Sequence, residues 1–327
     1  MGEGLRVLIL AAGKGTRMLS GQVKVLHKLC GLPILEYLLR AVAPLKAEET
    51  IVVIGHQGKL VRERFAGRGL VFIEQREQLG TGHALLQAGP SLEDKGGEIL
   101  ILPSDLPLLK TELLEEFVLF HRGHKGKLSL LTTDRDDPRG YGRIVRDGTG
   151  DVQRIVEEED AKPQERGIRE VNSGIYLVSN DRLLWEALEK LDDANAQGEY
   201  YLTDIVAPYR EGGEAVRALV AEEGEELAGV NSRADLARAE AILRGRKLAQ
   251  AMERGATVVA PETVIIEWEV ELEQDAVIGP GSSVKGRGRI GRGALIEATQ
   301  VEGFEIGEGS RIMMSLLRAE EQKKEGK

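Results

Sequence analysis

Apolar residues in the first two thirds of the chain come in short unbroken runs, separated by segments of helical spacing. Val7 to Ala12, Thr50 to Ile54, Leu70 to Glu74, Glu98 to Leu102 and Leu128 to Thr132 read as strands, and helical spacing starts near Ile34, Lys59, Thr81 and Thr111. This alternation predicts an α/β unit with an open, mostly parallel sheet and helices on both faces. Ligands of such sheets sit beyond the carboxyl ends of the strands. A glycine loop after the first run, Gln75 and Asp105 all fall there. The stretch from Tyr141 to Tyr176 is less regular and is expected to form a lid or β-extension over the pocket. A helix is expected over Ser232 to Arg254, with Ser232 as N-cap, Leu236, Leu243 and Met252 toward one face, and Gly255 as C-cap.

Beyond that helix the period changes. Ile266, Leu272, Ile278, Val284, Ile290 and Ile296 are six residues apart, and Val270, Ala276, Ser282, Gly288 and Ala294 each stand four residues after one of them. Ile306 and Ile312 resume the step after a short break. Hexads of this kind build a left-handed parallel β-helix, here about three coils at about 18 residues each, near the minimum for a stable stack. The expected divisions are a first domain over 1–231, a linker helix over 232–255, a short β-helix over 256–317 and a polar tail over 318–327.

Composition narrows the function classes. The chain has 327 residues, 42% apolar and 30% charged, with a formal charge of −10, which fits a folded globular protein. An acidic chain without basic patches interleaved with aromatics is a poor partner for nucleic acid. The apolar run Leu5 to Ala12 is too short to cross a membrane and leads into a glycine loop, so neither a targeting segment nor a membrane partner is expected. The lone Cys30 forms no internal disulfide, which suits a reducing cytoplasm.

Against the acidic whole, the stretch from Gly4 to Leu35 holds Arg6, Lys14, Arg17, Lys24 and Lys28 and no acidic residue. Its centre is Leu10-Ala11-Ala12-Gly13-Lys14-Gly15-Thr16-Arg17. Gly13 and Gly15 let the backbone approach a ligand, and Lys14, Arg17 and Lys24 offer cations to phosphate oxygens. The alternative is a tight strand–helix turn with solvated charges. Met18 stands where a dinucleotide loop needs its third glycine, and Gly13 directly precedes Lys14 where a Walker loop needs four intervening residues. Asp105 follows the apolar run ending at Leu102, so it reads either as a hard-oxygen ligand for Mg²⁺ beside a polyphosphate or as a turn or helix-capping aspartate.

With Met18 and Lys24, this loop is similar to the signature of sugar-1-phosphate nucleotidyltransferases. Gln75-Arg76-Glu77-Gln78-Leu79-Gly80-Thr81-Gly82-His83-Ala84, Tyr141-Gly142-Arg143, Glu170-Val171-Asn172-Ser173-Gly174, Asn195-Ala196-Gln197-Gly198-Glu199-Tyr200-Tyr201 and Gly229-Val230-Asn231 extend the likeness. In this order, with a linker helix and hexads behind them, they resemble the bacterial N-acetylglucosamine-1-phosphate uridyltransferases, which couple this domain to a glucosamine-1-phosphate acetyltransferase on a long β-helix.

The resemblance implies a Rossmann-like nucleotidyltransferase domain that uses UTP and a sugar-1-phosphate with Mg²⁺. It places Leu10 to Thr16 on the nucleotide, with Gly13 to Arg17 cradling the β and γ phosphates of UTP, Arg17 and Lys24 on the α-phosphorus as catalytic cations, and Gln75, Gln78, Gly80 and Thr81 around uracil and ribose. Gly142, Glu157, Asn172 and Thr203 would hold the sugar, and Asn231 would join Asp105 on the metal. Taken alone, Gln75 and Gln78 read as loop residues, Asn231 as the edge of the linker helix, and Glu157-Glu158-Glu159-Asp160 as a solvated acidic run. Ser104 and Pro103 stand where the family has glycine and tyrosine, and Glu159 where it has lysine, which leaves another sugar-1-phosphate or thymidylyl transfer open. A non-catalytic sugar-nucleotide-binding module is the remaining alternative. All five histidines precede residue 125, and the hexads end before the coils that carry acetyl transfer in the family. The expectation is a chain truncated there, without acetyltransferase activity, trimeric through its coils.

Overall fold

The computed structural model describes residues 4–124 and 126–318, arranged as two compact units. One takes the chain up to Leu26 together with Ile34–Ser232; the other takes His27–Pro33 together with the chain from Arg233 onward. Among the described residues the first unit is built on one sheet of nine strands. Its path runs Val216–Ala221, Leu128–Asp134, Glu170–Ser179, Glu98–Pro103, Leu5–Ala11, Glu49–Ile54 and Leu70–Glu74. Leu5–Ala11 pairs in parallel with Glu49–Ile54 and with Glu98–Pro103, and Glu49–Ile54 in parallel with Leu70–Glu74.

The unbroken apolar runs have the burial they predict. Val7 and Ile9 pack into one core layer and Leu8 into the other; Val52 and Ile54 oppose Ile51 and Val53; Leu100 and Leu102 oppose Ile99 and Ile101. Helix Ile34–Val42 covers one face through Leu35, Leu38 and Leu39, and Thr111–His124 joins it through Leu114, Phe117 and Val118. Thr81–Gln87 and Arg182–Glu189 cover the other face through Leu85, Leu184 and Leu188. Each such side chain contributes about 1.5–3 kcal/mol by leaving water.

The region from Tyr141 to Tyr176 is more ordered than its polarity predicts. Arg143–Arg146 and Val152–Val156 do form a β-extension. Glu170–Ser179, however, is an interior strand of the main sheet, antiparallel to both neighbours. Its apolar run is interrupted by Asn172, Ser173 and Gly174, where the register shifts between Asn172 and Ile175 and Gly174 takes φ +78°. A bulge explains the polar gap: it breaks the alternation of side chains without ending the strand.

A hydrogen-bonded histidine pair ties helix Thr111–His124 to this sheet. His124 Nδ1 faces the Phe120 carbonyl at 2.8 Å and so carries a proton, leaving Nε2 to accept from Ser129 Oγ at 3.2 Å. Ser129 Oγ in turn accepts from His121 Nδ1 at 2.7 Å. Burial pushes His121 down to about 4, with His124 and Arg122 acting in the same direction and Glu98 against it. A base whose folded pKa is depressed gives stability that is complete above its unfolded value, near 6.5, and lost as pH falls from there through about 4. We expect the unfolding free energy to drop by about 3 kcal/mol over that window through this residue. Urea titrations at several pH values should show a shallower acid slope for His121→Gln than for the wild type; equal slopes refute the assignment.

In the second unit, helix Arg233–Glu253 buries Ala239, Leu243, Lys247 and Ala251, a stripe of i, i+4 steps. Met252, expected on that face, is 44% exposed instead. Gly255 takes φ +91° and its N–H reaches the Met252 carbonyl at 3.0 Å, closing the helix. The hairpin Lys28–Leu29/Leu32–Pro33 joins this unit although the sequence reading set it within 1–231. Cys30 N–H donates to Glu240 Oε2 at 2.7 Å and the Cys30 carbonyl accepts from Trp268 N at 2.9 Å. Burial and Glu240 push the Cys30 thiol up to about 12.

The hexads form three parallel sheets of a left-handed β-helix, with Ile266 over Val284, Leu272 over Ile290 and Ile278 over Ile296. The break expected after Ile296 is a shortening of the repeat. Val301 is buried five residues on, and Val284 pairs with Val301, Ile290 with Ile306, Ile296 with Ile312 and Val301 with Leu317. The aliphatic stack thus continues through a smaller coil. Of the expected polar tail over 318–327, Arg318 ends the last strand and the rest lies outside the described residues. Among the described residues no helix is long and apolar enough to cross a membrane.

Candidate nucleotide and metal site

A cleft of about 660 Å³ opens in the first unit where Leu5–Ala11 and Glu98–Pro103 end. The parallel strand ends there turn their chains outward, so loops from distant parts of the sequence converge on it. The structure brings the expected nucleotide, sugar and metal residues to this cleft. Leu10, Ala11, Ala12, Gly13, Lys14, Gly15, Thr16, Arg17 and Lys24 line it, together with Gln75, Gln78, Gly80 and Thr81. Asp105 and Asn231 line the same cleft, as do Gly142, Glu157, Asn172 and Thr203.

In the glycine loop Gly15 adopts φ +60°, and an added Cβ there would stand 3.0 Å from Lys24 Cβ. Glycine therefore lets the loop turn and lets Lys24 approach. Nothing lies within 4 Å of a Cβ added at Gly13, so the space beside that residue is open. Lys14 and Arg17 are exposed.

Lys24 Nζ donates to Asp105 Oδ2 at 2.5 Å and to Asn231 Oδ1 at 3.0 Å; Arg17 donates to the same Asn231 oxygen at 3.0 Å. Asp105 is thus neither a helix cap nor a solvated turn residue. Asn231 does precede the helix that starts at Arg233, but its amide oxygen faces the cations. The two are locked together by a backbone bond from Val230 N to Asp105 O at 2.9 Å. Between them Gly229 leaves room: a Cβ there would stand 3.1 Å from Asn231 Nδ2 and 3.5 Å from Asp105 Oδ2.

The chemistry of these oxygens fits a divalent cation. A carboxylate and an amide oxygen converge on one positive charge, the Lys24 ammonium. Among the described residues no group of three or more His, Cys, Asp or Glu converges to hold a metal. Two protein oxygens completed by substrate phosphates and water is the manner in which Mg²⁺ is commonly held.

The acidic run divides. Glu157 lines the cleft and accepts from Thr203 Oγ1 at 3.2 Å. Burial raises the Glu157 carboxyl above the usual range, against that bond, with Asp204, Asp160 and Glu159 adding to the rise. Glu158 turns away to Arg143 Nη2 at 2.6 Å, and that pair holds Glu158 below the usual range. Glu159 and Asp160 are exposed. Gly142 needs its missing side chain, since a Cβ would stand 3.0 Å from Ile155 Cγ2 and 3.3 Å from Glu157 Oε2. Asn172 is oriented by donation to Tyr176 Oη at 2.7 Å and by acceptance from Gly174 N at 3.1 Å. Ser104 is buried and lines the cleft beside Asp105.

Tyr141, Gln197 and Glu199 also line the cleft, and the sequence reading gave them no role. The block Asn195 to Tyr201 held the available signal. Asn195 Oδ1 accepts from the backbone of Gln197 and of Glu199, both at 3.2 Å, which shapes that loop around the two side chains.

Comparison with known proteins adds a family. The sequence profile of the MobA-like NTP transferase domain matches residues 7–254. A Streptococcus gordonii protein named bifunctional protein GlmU is 42% identical over 311 residues, 95% of this chain and 67% of its own length. Proteins of the same name from Streptococcus suis and Pelobacter propionicus are each 43% identical, over 91% and 95% of this chain and 65% and 68% of theirs. The chain therefore spans about two thirds of the length of these curated relatives.

Proposed function

Since this chain belongs to the MobA-like NTP transferases and, within them, to the GlmU family, we propose that it transfers a uridylyl group from UTP to N-acetylglucosamine-1-phosphate, releasing pyrophosphate. One observation carries the reading. Arg17, Lys24, Asp105 and Asn231 meet at the open glycine loop, with hydrogen bonds of 2.5–3.0 Å joining them, inside a cleft also lined by Glu157, Asn172 and Thr203.

In this reading the glycine loop lies along the triphosphate, and Gln75, Gln78, Gly80 and Thr81 enclose the base and ribose. Glu157, Asn172, Gly142 and Thr203 hold the sugar so that its phosphate oxygen lines up with the α-phosphorus. That oxygen is already anionic at neutral pH, so no protein nucleophile or base is required. The reaction is accelerated by alignment and by Arg17 and Lys24 neutralising charge that builds on the transferring phosphoryl group. Mg²⁺ held by Asp105 and Asn231 would neutralise phosphate charge and orient the triphosphate. An ammonium and a divalent ion of like sign do not share the same two oxygens, so Lys24 would be free to reach phosphate once the metal is bound.

The described coils contain no histidine, and we assign them assembly, as a homotrimer in the cytoplasm, with no acetyl transfer. The buried Ser104 hydroxyl beside the cleft favours a second reading, a different sugar-1-phosphate with UTP or dTTP. Pyrophosphate release should be measured with UTP and dTTP against a panel of sugar-1-phosphates, with Mg²⁺ and with EDTA. The expected result is turnover with UTP and N-acetylglucosamine-1-phosphate that EDTA abolishes. Turnover that survives EDTA removes the metal from the scheme, and none with any pair removes catalysis.

A further inference from the structure

Gln75 is 3% exposed, and its amide nitrogen has no freedom left. That nitrogen donates to the Gly80 carbonyl at 3.0 Å and stands 2.9 Å from His83 Nδ1. A carbonyl oxygen only accepts, so the atom facing Gly80 is the NH₂ and the amide has one possible orientation. The second hydrogen of that NH₂ then requires His83 Nδ1 to be an acceptor. A neutral imidazole with Nδ1 as acceptor carries its proton on Nε2; the Gln87 amide nitrogen stands 3.1 Å from Nε2, and this tautomer requires that exchangeable amide to be turned over so that Gln87 Oε1 accepts there. Gly80 is a fixed reference for this chain of bonds. It takes φ +114°, and a Cβ there would lie 2.5 Å from the Tyr200 carbonyl oxygen, so its backbone is packed in place.

Among the described residues Gln75 Oε1 has no hydrogen-bond partner, and Gln75 lines the cleft where the base is placed above. Gln78 repeats the arrangement: its NH₂ donates to the Gln75 and Arg76 carbonyls at 2.9 and 3.2 Å, which leaves its oxygen as the remaining group. The base end of the cleft therefore offers amide acceptors. His83 itself does not line the cleft.

We infer that His83 is a positioning residue for base choice: by accepting from Gln75 it holds Gln75 Oε1 toward the base, where it receives the N3–H of uracil and rejects the unprotonated N3 of cytosine. The inference rests on the uridylyl reading proposed above. Without the imidazole acceptor the Gln75 amide keeps only the Gly80 bond, so the flipped orientation, which turns the NH₂ toward the base, costs one hydrogen bond less. Discrimination then falls because the mismatch between two acceptors is no longer enforced.

The test compares kcat/KM for UTP and CTP, with the same sugar-1-phosphate, in wild type, His83→Leu and His83→Asn. Leucine removes the acceptor at similar volume; asparagine restores an acceptor near the position of Nδ1. The UTP/CTP ratio should fall by about tenfold or more in H83L and stay within about threefold of wild type in H83N. An H83L protein that is slower but keeps the wild-type ratio overturns the inference, because a purely structural histidine would behave that way. The tautomer is read independently from ¹⁵N shifts of the wild-type imidazole, whether or not H83L folds. A proton on Nε2 supports the inference and one on Nδ1 overturns it. Wild-type protein that makes no product from UTP refutes the uridylyl reading instead, so the two failures are distinct.

Discussion

Uridylyl transfer by Asp105→Asn is expected to fall by about a thousandfold at saturating substrates, with the unfolding midpoint little changed. The substitution preserves the shape of a half-buried side chain, so Val230 N keeps its backbone bond to residue 105 and the loop keeps its path. What disappears is the formal negative charge beside Asn231 Oδ1. An amide in its place is a weak ligand for a hard divalent ion and leaves the Lys24 ammonium without its counter-charge. Because that electrostatic contribution acts on the transition state, more UTP should not restore the rate. Pyrophosphate release across a range of UTP and Mg²⁺ concentrations checks this. A rate within tenfold of wild type at ordinary Mg²⁺ would remove Asp105 from the metal site.

Lys24→Ala should cost about a hundredfold to a thousandfold in turnover, again without unfolding the protein. Lys24 lies at the start of a single helical turn, Lys24–Leu26, and its side chain is 15% exposed, so truncation empties space that opens on the cleft. Two effects distinguish it from Asp105→Asn. Removal of the ammonium takes away a competitor for Asp105 Oδ2 and Asn231 Oδ1, so Mn²⁺ binding in the absence of nucleotide should tighten, whereas Asp105→Asn should weaken it. At the same time the transferring phosphoryl group loses a cation, so turnover falls despite the tighter metal. Calorimetric titration with Mn²⁺, together with single-turnover rates, separates the two. Unchanged turnover in Lys24→Ala would show that the lysine only fills the metal position in the free protein.

Much of the first unit was legible in the sequence because parallel strands covered on both faces need continuous apolar runs. Val7 to Ala12 and Glu98 to Leu102 are such runs, and they mark where the ligand loops must emerge. The coils were legible for a similar reason: one aliphatic per hexad is the cost of a triangular core. Glu170–Ser179 escaped because its bulge interrupts the apolar run with Asn172, Ser173 and Gly174. The orientation of helix Arg233–Glu253 escaped as well. Ala239 and Lys247 share the buried stripe, small or long-stemmed residues that a search for large aliphatics passes over in favour of Met252.

The amino-acid order by itself determined the element types, the cationic glycine loop and the order of the motif blocks, since these depend on neighbours a few positions away. It did not determine that Lys24, Asp105 and Asn231 would meet. They are separated by 81 residues in one case and 207 in the other, and only the convergence of strand ends brings their atoms to hydrogen-bond distance. The division of Glu157 from Glu158 is likewise tertiary, for one faces the cleft and its neighbour faces Arg143. The same holds for the Gln75 amide, whose direction is set by a carbonyl and an imidazole that no local pattern announces. Local propensity acts over a turn or a strand; the placing of charge and the choice of hydrogen-bond partner wait for packing.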